Sequence, residues 1–197
     1  MGNVITPDDI SLILSLYYLN YTESRAISLP VNISNAISKV IEESGGIIRW
    51  TTTKLRNPDD SIDLFYGGKC RYPYLEQKTD PMITFLRLIE YLTLEKKELC
   101  ELKENFPKTN ITRTAIQCSI EEKAAIMGML STEAEGKSVE LIDGVKIITN
   151  NSWILLMPDA SQPLIHVYAE GDSIKERDRL INSYSEKIRQ FRLAQMQ

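Results

Sequence analysis

The sequence predicts two domains of different construction: an α/β three-layer domain, a mixed sheet with helices on both faces, over residues 1–107, and a smaller α+β domain with an antiparallel sheet over residues 112–197. Three observations carry this reading. Residues 26–52 hold a β-rich run, a helical stripe and a second β-rich run, the pattern of a parallel strand–helix–strand unit. Pro107 to Thr112 interrupts the periodicity and is the linker candidate. Beyond it, short β-rich runs are punctuated by Asp143-Gly144 and Asn150-Asn151, both hairpin-turn pairs.

The elements follow in order. Thr6-Pro7-Asp8-Asp9 starts a helix: Thr6 caps it, Pro7 takes the first helical position, and the two acids face the positive end of the dipole. This helix runs to about Asn20 and is followed by a short apolar run, Ala26 to Val31. Asn32 and Ser34 are capping signals for a helix with Ile33, Ala36, Ile37, Val40 and Ile41 on one face, and Gly45-Gly46 stops it. Ile47 to Thr52 is β-branched and aromatic, hence a strand, and the crossover back to it is expected to be right-handed. Asn57 to Asp60 reads as a turn, Ile62 to Tyr66 as a strand, and Gly67 to Lys78 as an irregular polar loop, which makes that loop a functional candidate.

A long helix opens at Asp80-Pro81 with Ile83, Leu86, Ile89 and Leu92, breaks near Thr93, and continues through Leu99, Leu102 and Phe106. In the second domain Thr112 to Gln117 is a strand, and Ser119 with Glu121 and Glu122 opens a helix. Strands are expected at Val139–Ile142, Val145–Ile148, Ser152–Met157 and Leu164–Ala169. A last helix spans Ser173 to Arg192, with Ile174, Leu180, Ile181, Tyr184 and Ile188 inward and a charged face of mixed sign outward.

Composition narrows the function classes. An apolar content of 43% suits ordinary cores, and 23 Lys+Arg against 27 Asp+Glu leave a net charge of −4. No overall basic field exists to attract nucleic acid or an anionic membrane, so neither is an expected partner. Three cysteines without Cys-x-x-Cys spacing argue against a disulfide framework and a structural zinc, and place the protein in a reducing cytoplasm. No apolar run approaches the roughly 20 residues that span a bilayer. Met1-Gly2 with Thr6 fits a myristoylation pattern, but Thr6 is better employed as a cap.

The richest stretch is Asp143-Gly144-Val145-Lys146, then Trp153 to Leu156, then Met157-Pro158-Asp159-Ala160-Ser161-Gln162-Pro163, then Ile165-His166-Val167-Tyr168-Ala169-Glu170. This succession resembles the C-terminal domain of the α-D-phosphohexomutases, the phosphoglucomutase and phosphomannomutase superfamily. There an Asp-Gly-Val/Leu-Lys strand and a Trp strand lead into the loop Arg-Pro-Ser-Gly-Thr-Glu-Pro, and a strand ending Arg-Val-Tyr-x-Glu leaves it. Pro30 to Ser34, Gly45-Gly46 and the helix from Asp80 with Leu86, Leu88, Tyr91 and Leu92 resemble the family's third domain. The resemblance covers essentially the whole chain.

The resemblance implies a four-domain parent: a phosphoserine in the first domain, a magnesium loop in the second, a sugar-selecting loop in the third and a phosphate-binding loop in the fourth. Gly2-Asn3-Val4-Ile5 resembles the segment just after the metal loop, so the chain is expected to start at the third domain. Without phosphoserine or metal loop it is expected not to catalyse alone, and to need no cofactor itself; magnesium belongs to an upstream domain of a catalytic parent.

At the phosphate-loop position Met157 stands for the arginine, Asp159 for a serine, Ala160 for the glycine, Ser161 for the threonine and Gln162 for the glutamate; only Pro158 and Pro163 are kept, and His166 replaces a second arginine. A carboxylate in place of a guanidinium exchanges attraction for repulsion, about 4 kcal/mol between unit charges 4 Å apart at an effective dielectric of 20. At the sugar-loop position the family's Gly-Glu-x-Ser-Gly-His is matched by Gly67-Gly68-Lys69-Cys70-Arg71-Tyr72, which keeps the first glycine. Lys69 and Arg71 are candidates to touch a phosphorylated ligand.

Plainer readings stand beside these. Asp159, Ser161 and Gln162 are turn formers whose side chains bond their own backbone. Trp153 and Tyr168 suit core or rim packing, Cys70 a spectator thiol in an accessible loop, and the pairs Asp8-Asp9 and Asp59-Asp60 capping. Two parents are considered: a phosphomannomutase/phosphoglucomutase-like protein, and a mannose-1-phosphate guanylyltransferase carrying a degenerate mutase-like extension. Expected partners are the upstream domains of the same polypeptide, with a weakly held sugar phosphate and a second copy of the chain as further candidates.

Overall fold

A computed structural model describes residues 4–53 and 70–195 of the chain. The chain divides into two compact units, Met1–Lys108 and Thr109–Gln197.

In the first unit helix α1 (Pro7–Tyr21) is fastened by a capping box: Thr6 Oγ1 accepts from Asp9 N, and Asp9 Oδ2 accepts from Thr6 N at 2.8 Å. Asp9 is also paired with Lys103 Nζ at 2.6 Å, which ties α1 to helix α5 (Leu99–Glu104). Strand β1 (Ala26–Pro30), helix α2 (Asn35–Glu43) and strand β2 (Ile47–Thr51) form the expected unit, and β1 pairs β2 in parallel from Ala26–Ile47 to Pro30–Thr51. Ser34 is the cap of α2, its Oγ accepting from Ala36 N at 3.1 Å. Gly45 ends the helix at φ +85°, a left-handed value that costs glycine little. A short strand β3 (Cys70–Arg71) adds to β1 on its other side, giving a parallel order β2-β1-β3. The core joins Leu12, Leu14, Tyr18 and Leu19 of α1 to Ile27, Leu29, Ile33, Ile37 and Ile41.

Three expectations in this unit are corrected. The stretch read as an irregular loop through Lys78 is, from Cys70 onward, strand β3 and then helix α3 (Pro73–Thr79). The helix was hidden because its buried residues, Pro73 to Glu76, are contiguous and show no apolar stripe, while Pro73 at the first helical position starts it. Cys70 is accordingly not an accessible loop thiol but a strand residue 2% exposed. In helix α4 (Pro81–Glu95, capped by Asp80) the stripe Ile83, Leu86, Ile89 faces solvent, and the buried side is Thr84 and Tyr91 with Leu88 and Leu92 half-buried. Lys96 in the left-handed region closes α4, which is the expected break. The turn at Asn57–Asp60, the strand at Ile62–Tyr66, and Gly67, Gly68 and Lys69 lie outside the described residues.

The second unit is a five-stranded antiparallel sheet in the order β4-β8-β7-β6-β5, made of β4 (Ile111–Gln117), β5 (Ser138–Glu140), β6 (Val145–Thr149), β7 (Ser152–Pro158) and β8 (Leu164–Glu170). Helix α6 (Ile120–Glu133) begins in a capping box between Ser119 and Glu122, and helix α7 runs Ile174–Gln195. Both pack on the sheet face that presents Val145, Ile147, Ile154, Leu156, Ile165, Val167 and Ala169. Alternation puts Lys146, Trp153, Leu155, Met157, His166, Tyr168 and Glu170 on the opposite face. Ile174, expected inward, is 58% exposed because it opens α7 ahead of the turn that reaches the core, where Tyr184 and Ile188 are buried.

Gly144 is a turn glycine under steric compulsion: at φ +149° a Cβ would lie 2.2 Å from the Leu156 carbonyl oxygen. Gly144→Ala should therefore lower the unfolding free energy by about 1–3 kcal/mol. Ile126→Ala in the fully buried face of α6 should cost about 2–5 kcal/mol, while Leu86→Lys on the solvent side of α4 should stay within about 0.5 kcal/mol. Urea unfolding midpoints of the three variants check this ranking.

Candidate functional site

Strand β7 has Ser152 to Met157 buried and delivers Pro158 to the edge of the unit, where the chain turns and returns as β8. Met157 and His166 are register partners, so the corner rests on a fixed strand pair. Pro158 and Pro163 bracket it with fixed φ, and Asp159 N donates to Leu164 O at 3.1 Å across its base.

The turn residues organise around one carboxylate. Asp159 Oδ1 accepts from Ser161 N and Gln162 N, both at 2.8 Å, and from Ser161 Oγ at 3.0 Å. Asp159 Oδ2 accepts from His166 Nε2 at 2.8 Å. Arg113 Nη2 lies 3.2 Å from His166 Nδ1. A guanidinium has no acceptor, so Arg113 donates, Nδ1 accepts, and the hydrogen sits on Nε2, the atom that faces Asp159. Arg113 reaches this place from β4, where it pairs with Tyr168, and its guanidinium also lies over that ring at 5.5 Å.

Below the loop, Lys123 of α6 donates to Asp159 O at 2.6 Å and to Gln162 O, and the lysine is 9% exposed. Cys118 N donates to Pro163 O at 3.0 Å. The Ser161 and His166 hydrogen bonds, followed by those from Gln162 N and Ser161 Oγ, hold the Asp159 carboxyl well below the usual carboxylate range.

The structure thus brings Met157 to Pro163 and His166 together as one corner. Lys123 and Arg113 were not among the sequence candidates. Lys123 had a signal, since it shares the inward stripe of α6 with Ile126 and Leu130. Arg113 had only its strand alternation. Of the sugar-loop candidates, Gly67, Gly68 and Lys69 lie outside the described residues, and Cys70 and Arg71 form β3 of the first unit. There Arg71 lies over the Tyr18 ring at 5.2 Å, and Arg87 lies over it at 5.0 Å while pairing with Glu76. Tyr18 donates to Glu76, and burial pushes its phenol well above the usual range.

Trp153 and Lys146 serve packing. The indole Nε1 donates to Glu170 Oε2 at 2.7 Å, Lys146 Nζ sits 4.6 Å from the Trp153 ring and 3.5 Å from Glu140, and burial pushes the lysine pKa down. Among the described residues no three His, Cys, Asp or Glu side chains group so as to hold a metal ion. No helix among them is long and apolar enough to cross a membrane.

No protein-family model matches the chain. It is 27% identical over 192 residues to a phosphopentomutase of Thermococcus kodakarensis, covering 91% of this chain and 42% of that protein. It is 26% identical over 196 residues to a phosphoglucosamine mutase of Methanococcus vannielii, covering 93% and 43%. The fold matches a phosphoglucomutase/phosphomannomutase family protein of Burkholderia thailandensis with a TM-score of 0.75 at 16% identity, over 97% of this chain and 43% of that one. It also matches an N-acetylglucosamine-phosphate mutase of the α-D-phosphohexomutase superfamily, solved with substrate, with a TM-score of 0.58 at 10% identity. The chain spans less than half the length of each of these proteins. Its relatives and structural neighbours are sugar-phosphate mutases, as the resemblance implied.

Because the Asp159 carboxyl titrates lower in the folded chain than its ordinary value of 3.8, its contribution is complete above that value and is lost as the pH falls. Asp159→Asn should therefore lower the urea midpoint at neutral pH, and the gap to the wild type should narrow at about pH 3. A gap of constant size across that range would contradict the hydrogen-bonded carboxylate.

Proposed function

We propose, for a chain related to the phosphohexomutases, that it is the C-terminal two-domain portion of a phosphomannomutase/phosphoglucomutase-type protein of carbohydrate metabolism. In this portion the phosphate corner keeps its architecture and has lost its anion chemistry. The observation that carries the reading is the engagement of the corner: Ser161 N, Gln162 N, Ser161 Oγ and His166 Nε2 all point at Asp159.

A sugar phosphate carries close to two negative charges and needs charge-assisted donors with nothing else to bind. Here Met157 offers a thioether where the family resemblance implies an arginine, Lys123 is bound to two loop carbonyls, and Arg113 is applied to His166 and Tyr168. Phosphoryl transfer further requires a carrier group and neutralisation of charge on the moving phosphoryl. No described residue of this chain is arranged for either, so its role is structural: it supplies the two C-terminal domains to the rest of the same polypeptide.

Glucosamine 1-phosphate, glucose 1-phosphate and mannose 1-phosphate, each followed by phosphorus NMR with the purified chain and magnesium, should show no conversion to the 6-phosphates. Calorimetric titration with the same compounds should give no measurable heat of binding. Turnover, or binding at about micromolar Kd, a free energy near −8 kcal/mol, would refute the reading.

A further inference from the structure

We infer that the outer edge of strand β4 is a pairing surface for the same strand of a second copy of the chain, the two copies meeting antiparallel about a two-fold axis at Thr114 so that their sheets run on as one. Strand β4 ends the order β4-β8-β7-β6-β5, and among the described residues β8 is its one strand neighbour. Which of its backbone groups face outward follows from one hydrogen bond. Cys118 N donates to Pro163 O at 3.0 Å, so the Cys118–Pro163 pair is bonded towards β8. Bonded and non-bonded pairs alternate along an antiparallel ladder, so Ile116, Thr114 and Thr112 bond to β8. The N–H and C=O groups of Ile111, Arg113, Ala115 and Gln117 therefore point away from it. Arg192 Nη1 donates to Gln117 O at 3.1 Å, as an outward carbonyl allows.

A sheet edge is ordinarily guarded by proline, lysine, a bulge or brevity. The opposite edge, β5, is three residues long. Strand β4 has seven residues, pairs with β8 without a break from Ile111–Glu170 to Gln117–Leu164, and contains neither proline nor lysine. Its single charge, Arg113, is drawn onto the sheet face by His166 and Tyr168 and does not guard the rim, and Arg113, Thr114 and Ala115 are exposed. A second copy suits this edge because a strand paired antiparallel with itself is self-complementary. The axis at Thr114 overlaps the whole strand. It sets Arg113 opposite Ala115 of the second copy and Ile111 opposite Gln117, outward groups that exchange ladder bonds except at the Gln117 carbonyl held by Arg192. It also opposes Thr114 to Thr114 and Thr112 to Ile116, β-branched pairs on the face where Ile116 already packs against the core. An axis at Arg113 would instead bring the two arginines face to face. The inference does not depend on the functional reading above.

Sedimentation equilibrium of the full chain should show monomer and dimer in exchange with a Kd of about 1–100 µM, and association should stop there because pairing uses up the edge. Ala115→Pro removes an outward N–H and leaves the bonds to β8 in place. By symmetry it deletes two bonds of the dimer and should weaken it about ten- to a hundredfold. A second measurement reads the register. In a Cys100→Ser background, which removes the exposed thiol, Thr114→Cys places two thiols on a non-bonded antiparallel pair, with α-carbons about 4.5 Å apart, within reach of a disulfide. Oxidised glutathione added to this variant should take up the two electrons and two protons, leaving one intermolecular disulfide and two reduced glutathiones. Thr132→Cys, exposed on α6, is the control and should cross-link at least about tenfold more slowly. A wild type still monomeric at about 0.5 mM overturns the inference, as does a dimer that a folded Ala115→Pro chain forms equally well. Should the proline variant not fold, the cross-linking comparison decides: equal rates at positions 114 and 132 overturn the pairing.

Discussion

Strand β7 is the constraint on which the second unit turns. It lies in the middle of the sheet, hydrogen-bonded to β6 and β8, and from Ser152 to Met157 both of its faces are buried. Such a strand has no freedom of register, since a slip of one residue would exchange the Ile154–Leu156 face for the Trp153–Leu155–Met157 face. Each feature downstream inherits its place from that. Trp153 meets Glu170 because they are register partners, Gly144 must be glycine because Leu156 passes against it, and the corner begins at Pro158 because the strand ends there.

The corner illustrates how a charge is accommodated at a protein edge. A lone carboxylate facing solvent would have little effect on the loop. The Asp159 side chain is 12% exposed and bonded through both oxygens, so it organises the turn as a bound ion would. The expectation from sequence was that an acid here repels anions. The geometry points to a different emphasis, in which the acid takes up the donors an anion would need. Lys123 and Arg113 complete the arrangement: one holds the loop carbonyls and the other orients the imidazole.

Much of this was legible in the residues. The caps at Thr6–Asp9 and Ser119–Glu122 and the hairpin turn at Asn150-Asn151 each have one strongly preferred local conformation, and each formed as read. Strand β5 instead stops at Glu140, short of the expected Ile142, so the connection through Asp143-Gly144 takes in Leu141 and Ile142 as well, and the run Ile62–Tyr66 lies outside the described residues. Helix α3 escaped because a helix of two turns buries a contiguous block instead of a stripe. The apolar series on α4 was legible as helical but not as outward-facing, because periodicity reports that a face exists and not which way it turns. At the corner, Met157 to Pro163 and His166 came from the motif, whereas Lys123 and Arg113 arrive from other elements and are brought in by sheet pairing and helix packing, which local sequence does not encode.

Helix α4 leaves Met82, Phe85, Leu86 and Ile89 in water on two successive turns, at exposures of 74%, 57%, 63% and 45%. Hydrocarbon of this kind is hydrated at an entropic cost near room temperature, and the tendency to shed that water strengthens on warming. Colloidal behaviour of the chain is thereby given a temperature coefficient of definite sign: through this helix, cold favours dispersal and warmth favours cohesion.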